Sequence, residues 1–455
     1  MKKRFVFIAC LFLMSLIGLF AAENQTTPVQ YKPDSGETPE QFFEREYKVL
    51  WKMIPEYQQF AIACTSNLCE RRNQFHLDFG TRINFEDTTT GKSVLNDGWE
   101  IFNYDQLMEH WNELSAGEQN NKYIKLKELL EKYPKLSVLE IGKKEQLTVT
   151  EVSRMYFVKD KKDLLGIHNL EAWIDGRRIS IMRWGIGAGY ISEEEATALI
   201  KPVVAKIKDD YVSYEEFISH WIAGFCFNAV FDSTVPECTD NLLAAHKTAR
   251  AYVPYELLAF TGKNADKNHT MTLEESIYTP SELAAKMIPA QKAFKRYWND
   301  EPDISILNEL IAAEKDYPEI CDITFESHFI LMCKFCSAQE RADFVDANRK
   351  YVFSLDEKSE LVNYVTGVYF NDLIRTYQPE KLISVYKALP NSLQTNEDNY
   401  FNYGYANYLM SNICSTVLER DIYISRAVNV FNQLKKRGYD NGNFINCWLN
   451  VVESL

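Results

Sequence analysis

Two helix start signals near the middle of the chain constrain the fold more than any other feature of the sequence. Ser192 is followed three residues later by Glu195, and Ser213 is followed three residues later by Glu216. In such a capping box the serine hydroxyl and the glutamate carboxylate each satisfy a backbone amide at the helix start. The signals therefore predict two successive helices, the second over residues 217–231.

These helices belong to a segment, 171–232, whose earlier part predicts another helix and a glycine turn. The earlier helix is predicted over residues 169–184, and Gly185-Ile-Gly187-Ala-Gly189 is interpreted as its end. Gly189 is expected in the left-handed conformation that glycine adopts at helix C-termini. The glycines do not indicate a dinucleotide-binding loop, because a helix rather than a strand precedes them.

Apolar residues recur at helical spacing over most of the rest of the chain. Helices are predicted at 57–68, 104–114, 123–133, 148–165, 241–252, 281–297, 303–315, 319–336, 338–351, 357–376, 378–388, 397–418, 420–436 and 442–453. Residues 72–97 are less regular, and a short hairpin or a loop is expected there. The predicted fold class is mainly α, with at most a small β-hairpin.

The C-terminal helices form pairs with a period of about 35–40 residues, which predicts antiparallel pairs in a tetratricopeptide-like α-solenoid. A polar loop at 262–268 marks the best boundary before this array. The predicted organisation is a signal peptide at 1–22, a flexible linker at 23–40, a helical domain at 41–240, a connecting segment at 241–280 and the array at 281–455.

The N-terminus predicts export to the periplasm or cell envelope. Lys2, Lys3 and Arg4 precede an apolar run over 5–20, and two alanines follow it. This is the layout of a secretory signal peptide. An uncleaved anchor is the alternative, because Phe20 stands where a small residue usually precedes cleavage. No later apolar run is long enough to span a membrane, so no other membrane association is predicted.

The charge balance excludes one class of partner. The chain has 64 acidic and 50 basic residues, a formal net charge of −14, and no clustered basic stripe. Such a chain repels phosphate backbones, so nucleic-acid binding is not expected.

Cysteines and histidines do not indicate a metal site. Nine of the ten cysteines follow the signal, so at least one cannot pair within the chain. Cys321, His328, Cys333 and Cys336 could form a zinc site, but they share one predicted helix, and a core or disulfide-forming role is favoured. No metal and no cofactor is predicted.

The segment from Trp173 to Gly224 resembles a bacterial family known as DUF1266, a domain of unknown function. The resemblance lies in Trp173, Asp175, Arg178, Arg183-Trp184-Gly185, Gly189-Tyr190-Ile191-Ser192-Glu193-Glu194-Glu195-Ala196, Ser213-Tyr214-Glu215 and Gly224. With the earlier Gly98-Trp99-Glu100-Ile101, it covers about residues 55–235. It implies a helical domain but no reaction.

Five residues of this segment form the candidate ligand-binding site: Asp175, Arg178, Arg183, Trp184 and Tyr190. Asp175 and Arg178 are three apart on a helix, so their side chains can meet, either to anchor a ligand or as a structural ion pair. Arg177, Arg178 and Arg183 could attract an anion, or Arg183 could simply stack on an aromatic ring beside Trp184. The structural alternatives are favoured.

No catalytic residue is predicted. Glu193, Glu194 and Glu195 lie in the first turn of a helix, where the capping box and the helix dipole explain them better than acid–base catalysis. The sequence contains no metalloprotease, serine hydrolase or phosphate-loop motif.

The function expected is that of an exported, non-catalytic helical protein that binds a protein or peptide through its C-terminal helices. Tyr400, Tyr403, Tyr405 and Tyr408 provide side chains suited to a contact surface. The competing hypothesis is an enzyme or small-ligand receptor with a cleft around Asp175, Arg178, Trp184 and Tyr190. The sequence does not indicate an oligomeric state.

Overall fold

A computed structural model describes residues 45, 48–49, 51–71, 79–80, 89–229, 235–250, 253–266, 270–293, 303–355, 359–439 and 443–453. Within these ranges the regular structure is entirely helical, which confirms the mainly α fold class. The predicted signal peptide, the linker and most of the hairpin segment, 72–78 and 81–88, lie outside the described residues. From Thr89 onward that segment is helical, so the expected hairpin or loop is wrong there. Among the described helices, none combines the length and apolar character needed to cross a bilayer.

The helices follow one another with short connections. They are α1 Glu56–Arg71, α2 Thr89–Trp99, α3 Tyr104–Ala116, α4 Glu118–Lys132, α5 Val138–Lys144, α6 Val149–Leu165, α7 Glu171–Ala188, α8 Glu193–Asp210, α9 Tyr214–Asn228, α10 Val235–Ala249, α11 Leu273–Ser276, α12 Glu282–Lys286, α13 Ile288–Lys292, α14 Ile304–Asp316, α15 Cys321–Phe335, α16 Ala338–Ala347, α17 Arg349–Val352, α18 Glu360–Arg375, α19 Pro379–Ala388, α20 Asn391–Thr395, α21 Glu397–Ile413, α22 Val417–Arg437 and α23 Asn443–Glu453.

Capping explains where many of these helices begin. Ser192 and Glu195 form the predicted capping box of α8. Ser213 caps α9 by accepting from the Glu216 amide at 3.1 Å, and the Glu216 carboxylate accepts from the Val212 amide at 2.7 Å. Reciprocal boxes of the same kind also open α5, α6, α11 and α16. Local side-chain chemistry therefore determines these helix starts.

Several of the predicted helices have different limits in the structure. For example, α10 is Val235–Ala249 rather than 241–252, and α21 ends at Ile413 rather than at 418. α7 continues through Gly185 and Gly187 to Ala188, so its predicted end at 184 is four residues early. The predicted single helix over 281–297 is wrong in its described part, because α12 ends at Lys286 and α13 begins at Ile288. Pro289 explains the break, since proline cannot donate the backbone hydrogen bond that a continuous helix needs.

The chain forms two compact units, and neither is a continuous segment. Unit 1 gathers the described residues of Met1–Ser115, Asp175–Phe217 and Asp240–Ala265, and unit 2 those of Ala116–Ile174, Ile218–Thr239 and Asp266–Leu455. The predicted domain limits, 41–240 and 281–455, refer to continuous segments, and they stay a prediction.

In unit 1, α2 crosses the end of α7 at backbone contact. A Cβ atom placed on Gly91 would lie 2.6 Å from the Ala188 nitrogen and 2.8 Å from the Trp184 carbonyl oxygen. Only glycine fits this crossing without displacing a backbone. The close approach brings α2 against the segment that carries the candidate site.

In unit 2, the C-terminal helices pack against near neighbours in the chain. α18 packs against α16, α21 against α19, and α22 against both α21 and α23. Gly404 of α21 allows a close crossing with α22, because a Cβ atom there would lie 2.7 Å from Val430 Cγ1 and 2.9 Å from Phe431 Cε1. Two buried apolar clusters fill this region, one between α15 and α21 and one among α22 and α23. Packing between near neighbours is the arrangement expected of an array of helix pairs.

Candidate functional site

Asp175 of α7 has both carboxylate oxygens in ion pairs. Oδ1 accepts from Arg178 Nη1 at 3.3 Å, and Oδ2 accepts from Lys206 Nζ at 3.0 Å. Lys206 also lies 3.1 Å from Asp210, which accepts from Asn264 Nδ2 at 3.1 Å. The helical spacing of Asp175 and Arg178 therefore does bring them together, and α8 adds a second cation that sequence spacing could not indicate.

The charges of this cluster balance. Arg178 and Lys206 supply two positive charges, and Asp175 and Asp210 supply two negative charges. The Arg178 guanidinium also lies 4.3 Å from the centre of the Trp111 ring. Because the cations already face carboxylates and an aromatic ring, they exert little net attraction on an incoming anion. The geometry is that of a structural network joining α3, α7 and α8.

The three arginines of α7 occupy three separate environments. Arg177 lies over the Trp99 ring at 4.4 Å, while Arg178 faces Asp175. Arg183 is fully buried, where it donates from Nε to the Phe79 carbonyl oxygen at 3.1 Å and from Nη1 to the Thr65 hydroxyl. The described contacts therefore do not gather the arginines on one basic face.

Trp184 lies near the C-terminal end of α7, and Tyr190 follows that end by two residues. Trp184 is buried, and its carbonyl faces Gly91 of α2. Gly189 has a φ of 73°, as predicted, and the Tyr190 amide donates to the Gly185 carbonyl at 2.9 Å. The half-buried Tyr190 has its hydroxyl 2.9 Å from the side-chain amide of Asn96. The backbone of Trp184 and the side chain of Tyr190 thus both contact α2.

The surface depression described in unit 1 lies away from these five residues. It is shallow and open, and its lining comes from α1 and the first turns of α8: Tyr57, Glu193, Glu194, Thr197, Ala198 and Lys201. Gln58 Nε2 donates to Glu193 Oε1 at 3.0 Å beside it. Hydrogen bonds from Ser192 lower the pKa of Glu195, so this carboxylate stays ionised as a cap. Nothing here assembles an acid with a base.

Two tryptophans of the segment are packing residues of unit 2. The Trp173 and Trp221 rings meet edge to face, with centroids 4.8 Å apart. A Cβ atom on Gly224 would lie 2.2 Å from the Trp173 Cβ. Gly224 is one of the residues that carry the family resemblance. It must be glycine because it packs directly against Trp173.

A buried aromatic stack in unit 1 was not indicated by the sequence. The Tyr214 and Tyr255 rings are parallel with centroids 4.0 Å apart, and the His246 ring lies 5.1 Å from Tyr255. Tyr214 donates to the Ala63 carbonyl at 2.7 Å, and the Tyr255 hydroxyl lies 2.6 Å from Ser66 Oγ. These residues come from distant parts of the chain, and no local pattern links them.

Within this stack, the His246 side chain has an unusually low pKa. Neither ring nitrogen has a hydrogen-bond partner among the described residues. Burial, assisted by the positive charge of Arg250, lowers the pKa of His246 to about 4. The imidazole is therefore neutral in the folded protein at physiological pH and serves as a packed ring.

The side chains of Cys321, His328, Cys333 and Cys336 do not come together as a metal site. His328 Nδ1 lies 2.7 Å from Glu314 Oε2, and the Thr324 hydroxyl donates to Glu314 Oε1 at 2.5 Å. Cys321, Cys333 and Cys336 are half-buried free thiols. Within the described ranges, no group of three or more histidine, cysteine, aspartate or glutamate side chains is placed to hold a metal ion.

The four C-terminal tyrosines are all half-buried, and two of them face inward. Tyr403 stacks on Tyr386 at 4.2 Å, and Tyr400 donates to Gln433 Oε1 at 2.9 Å. Tyr405 and Tyr408 pack on the Trp448 ring at 4.7 and 5.5 Å. Much of the surface of these four tyrosines is therefore used in packing that stabilises the helices to which they belong.

The largest apolar exposure in this region lies at the turn between α21 and α22. Ile413, Val417, Leu418 and Ile422 are 65%, 75%, 72% and 43% exposed, respectively. Leu418 and Ile422 are one helical turn apart, so they share a face. We name these four residues the α21–α22 tip.

Tyr377, between α18 and α19, combines exposure with an unfavourable backbone. It is 84% exposed and has a φ of 55°. The Gln378 amide donates to the Leu373 carbonyl at 2.8 Å, which is the helix ending that normally has glycine at the left-handed position. A tyrosine there costs about 1–2 kcal/mol relative to glycine.

Residues 94–251 match the model of a family described as "Protein of unknown function (DUF1266)". The match confirms the resemblance, although its limits differ from the expected 55–235. It begins within α2 and ends just after α10, so the helices from α11 onward lie outside it. Neither a curated protein nor a solved structure matches the chain.

Replacing Asp175 tests its structural role. In an Asp175→Asn variant the charges of Arg178 and Lys206 lose their shared partner, and we expect the free energy of unfolding in urea to fall by about 2–3 kcal/mol. The control is Asp163→Asn, at a carboxylate that is 81% exposed. It should change the free energy of unfolding by less than about 0.5 kcal/mol. Unchanged stability in Asp175→Asn would favour the ligand-anchoring hypothesis instead.

The neutral His246 predicts a loss of stability in acid. Its pKa is about 4 when folded, against 6.5 ordinarily, so the unfolded chain takes up the proton first. The stabilisation is complete above pH 6.5 and is lost as the pH falls towards 4. His246→Phe keeps an aromatic ring but cannot titrate, so the decrease in unfolding free energy from pH 7 to 4.5 should be about 2–3 kcal/mol smaller than in the wild type. Equal decreases in both proteins would contradict this.

Proposed function

We propose that this chain, in which residues 94–251 form a DUF1266 domain, is a non-catalytic binding protein whose C-terminal helices hold a protein partner. The observation that carries the proposal is the α21–α22 tip, where four large apolar side chains are exposed together. Large apolar side chains grouped at a surface mark interaction sites, whereas single ones are ordinary.

The size of the tip indicates what kind of partner fits it. A stable dimer buries about 800 Å² on each partner, which is more than four side chains provide. A second copy of the chain docked through the tip alone is therefore disfavoured. A short amphipathic helix presents an apolar stripe of the right width, with residues at helical spacing that match Leu418 and Ile422. We infer that the partner supplies such a helix.

The charges around the tip favour a protein over a lipid surface. Glu419 and Asp421 are exposed on either side of Arg420, and Arg426 follows one turn beyond Ile422. Acidic side chains among the apolar ones make insertion into a bilayer costly. A rim of both charge signs around an apolar centre is instead typical of protein interfaces.

Tyr377, between α18 and α19 of the same unit, provides independent support. It is 84% exposed and has a φ of 55°. A bulky, exposed tyrosine at a position where glycine would be more stable is best explained by a contact that it makes with a partner.

The proposal includes export, which rests on the basic N-terminus and the apolar run that follows it. The competing hypothesis of an enzyme or small-ligand receptor has weaker support. Asp175 and Arg178 satisfy each other, and Trp184 and Tyr190 contact α2. These contacts give the four residues structural roles.

In-cell photocrosslinking tests the tip. A photoreactive amino acid in place of Leu418 should capture a second protein through an amphipathic helix identified by mass spectrometry. The same amino acid in place of Ile167, which is 64% exposed in the same unit, should not. In the Val417→Ser/Ile422→Ser background, capture at position 418 should fall at least tenfold. Capture of lipid, of a second copy, or of the same proteins at both positions would overturn the proposal.

Tyr377 allows stability and binding to be separated. Tyr377→Gly should raise the free energy of unfolding by about 1 kcal/mol, because glycine adopts positive φ without strain, and should weaken retention of the captured partner. Gln146→Gly is the matched control, since Gln146 is exposed with a φ of 52°. It should increase stability similarly and leave partner retention unchanged. If the Tyr377→Gly variant retained the partner fully, Tyr377 would not be part of the interface.

A further inference from the structure

Cys333 and Cys336 lie at the end of α15 as a pair of free thiols. Both are half-buried, and each influences the electrostatics of Arg341. Cys336 is the C-cap of α15: its amide still donates to the Met332 carbonyl at 2.9 Å, as in a helix, although its own backbone is extended. Residues three apart in a helix are neighbours on one face, and Cys-x-x-Cys pairs in helical turns are able to form disulfides.

We propose that Cys333 and Cys336 form a reversible disulfide that closes the last turn of α15. With glutathione disulfide as oxidant, the thiolate of one cysteine attacks a glutathione sulfur and releases one glutathione thiolate. The second cysteine then attacks the mixed disulfide and releases the other. Two protein thiols are oxidised, one glutathione disulfide is reduced to two glutathiones, and the two protons pass to them.

The surroundings hold the backbone of Cys336 in place for this reaction. Arg341 Nη1 donates to the Cys336 carbonyl at 2.7 Å. The same guanidinium binds Asp372 through two hydrogen bonds of 2.8 and 2.6 Å, and both side chains are buried. Ser337, the next residue, caps α16. A bond at this point would therefore fasten the junction where α15, α16 and α18 meet.

The surroundings of the two thiols favour a structural disulfide over a catalyst of thiol–disulfide exchange. Burial raises the pKa of both thiols, so few thiolates form at neutral pH. Catalytic pairs use the opposite arrangement, in which a helix N-terminus or cations lower the pKa. The bond should form slowly at pH 7 and faster at pH 9, and once formed it should resist exchange. This property does not depend on the proposed partner.

Trypsin provides a direct test, because Lys334 lies between the two cysteines. The reduced full-length protein is equilibrated with glutathione disulfide, alkylated and digested without reduction. Cleavage at Lys315, Lys334 and Arg341 yields the peptides 316–334 and 335–341, which stay joined only through a disulfide. We expect the joined pair to dominate, to form at least tenfold faster at pH 9 than at pH 7, and to raise the melting temperature by about 2–4 °C.

Two variants decide which cysteine takes part. The peptide 316–334 also contains Cys321, so Cys321→Ser should leave the joined pair unchanged, while Cys333→Ser should abolish it. The melting temperature should respond to oxidation in Cys321→Ser and not in Cys333→Ser. Joined peptides that persist in Cys333→Ser, or wild-type protein that yields only glutathione adducts at these cysteines, would overturn the proposal.

Discussion

Unit 1 depends on the neutralisation of one buried carboxylate. A charge removed from water is tolerated only when opposite charges and hydrogen bonds replace its hydration. Asp175 obtains them from Arg178 on its own helix and from Lys206 on α8. Lys206 is in turn held by Asp210. The relative position of α7 and α8 is therefore set by electrostatics as well as by apolar packing.

The same arrangement explains why the segment of family resemblance consists of tryptophan, glycine and charged residues. Gly224 stands where a side chain would collide with Trp173, and Arg183 satisfies a buried carbonyl at Phe79. Each residue type is required by its neighbours. A family can share such a pattern for its architecture, so the pattern by itself does not specify a reaction.

Function is better sought where the structure departs from what stability requires. Buried residues such as Val430 and Phe431 contribute apolar area, whereas Leu418 leaves its side chain in water and Tyr377 adopts a backbone that glycine would adopt at lower cost. Cys333 and Cys336 place two half-buried thiols three residues apart at the end of α15, where inert apolar residues would pack as well. Departures of this kind concentrate at sites that interact or react.

The sequence by itself determined the helical class, the helix start at Ser192, the left-handed Gly189 and the pairing of Asp175 with Arg178. All of these depend on residues within one or two helical turns, where spacing is informative. Only the tertiary structure decided that Lys206 completes the Asp175 cluster, that Tyr214, Tyr255 and His246 stack, and that Tyr400 faces inward while Leu418 remains exposed. These outcomes depend on which distant helices meet, and a single sequence without repeats or local motifs at those positions does not specify such meetings.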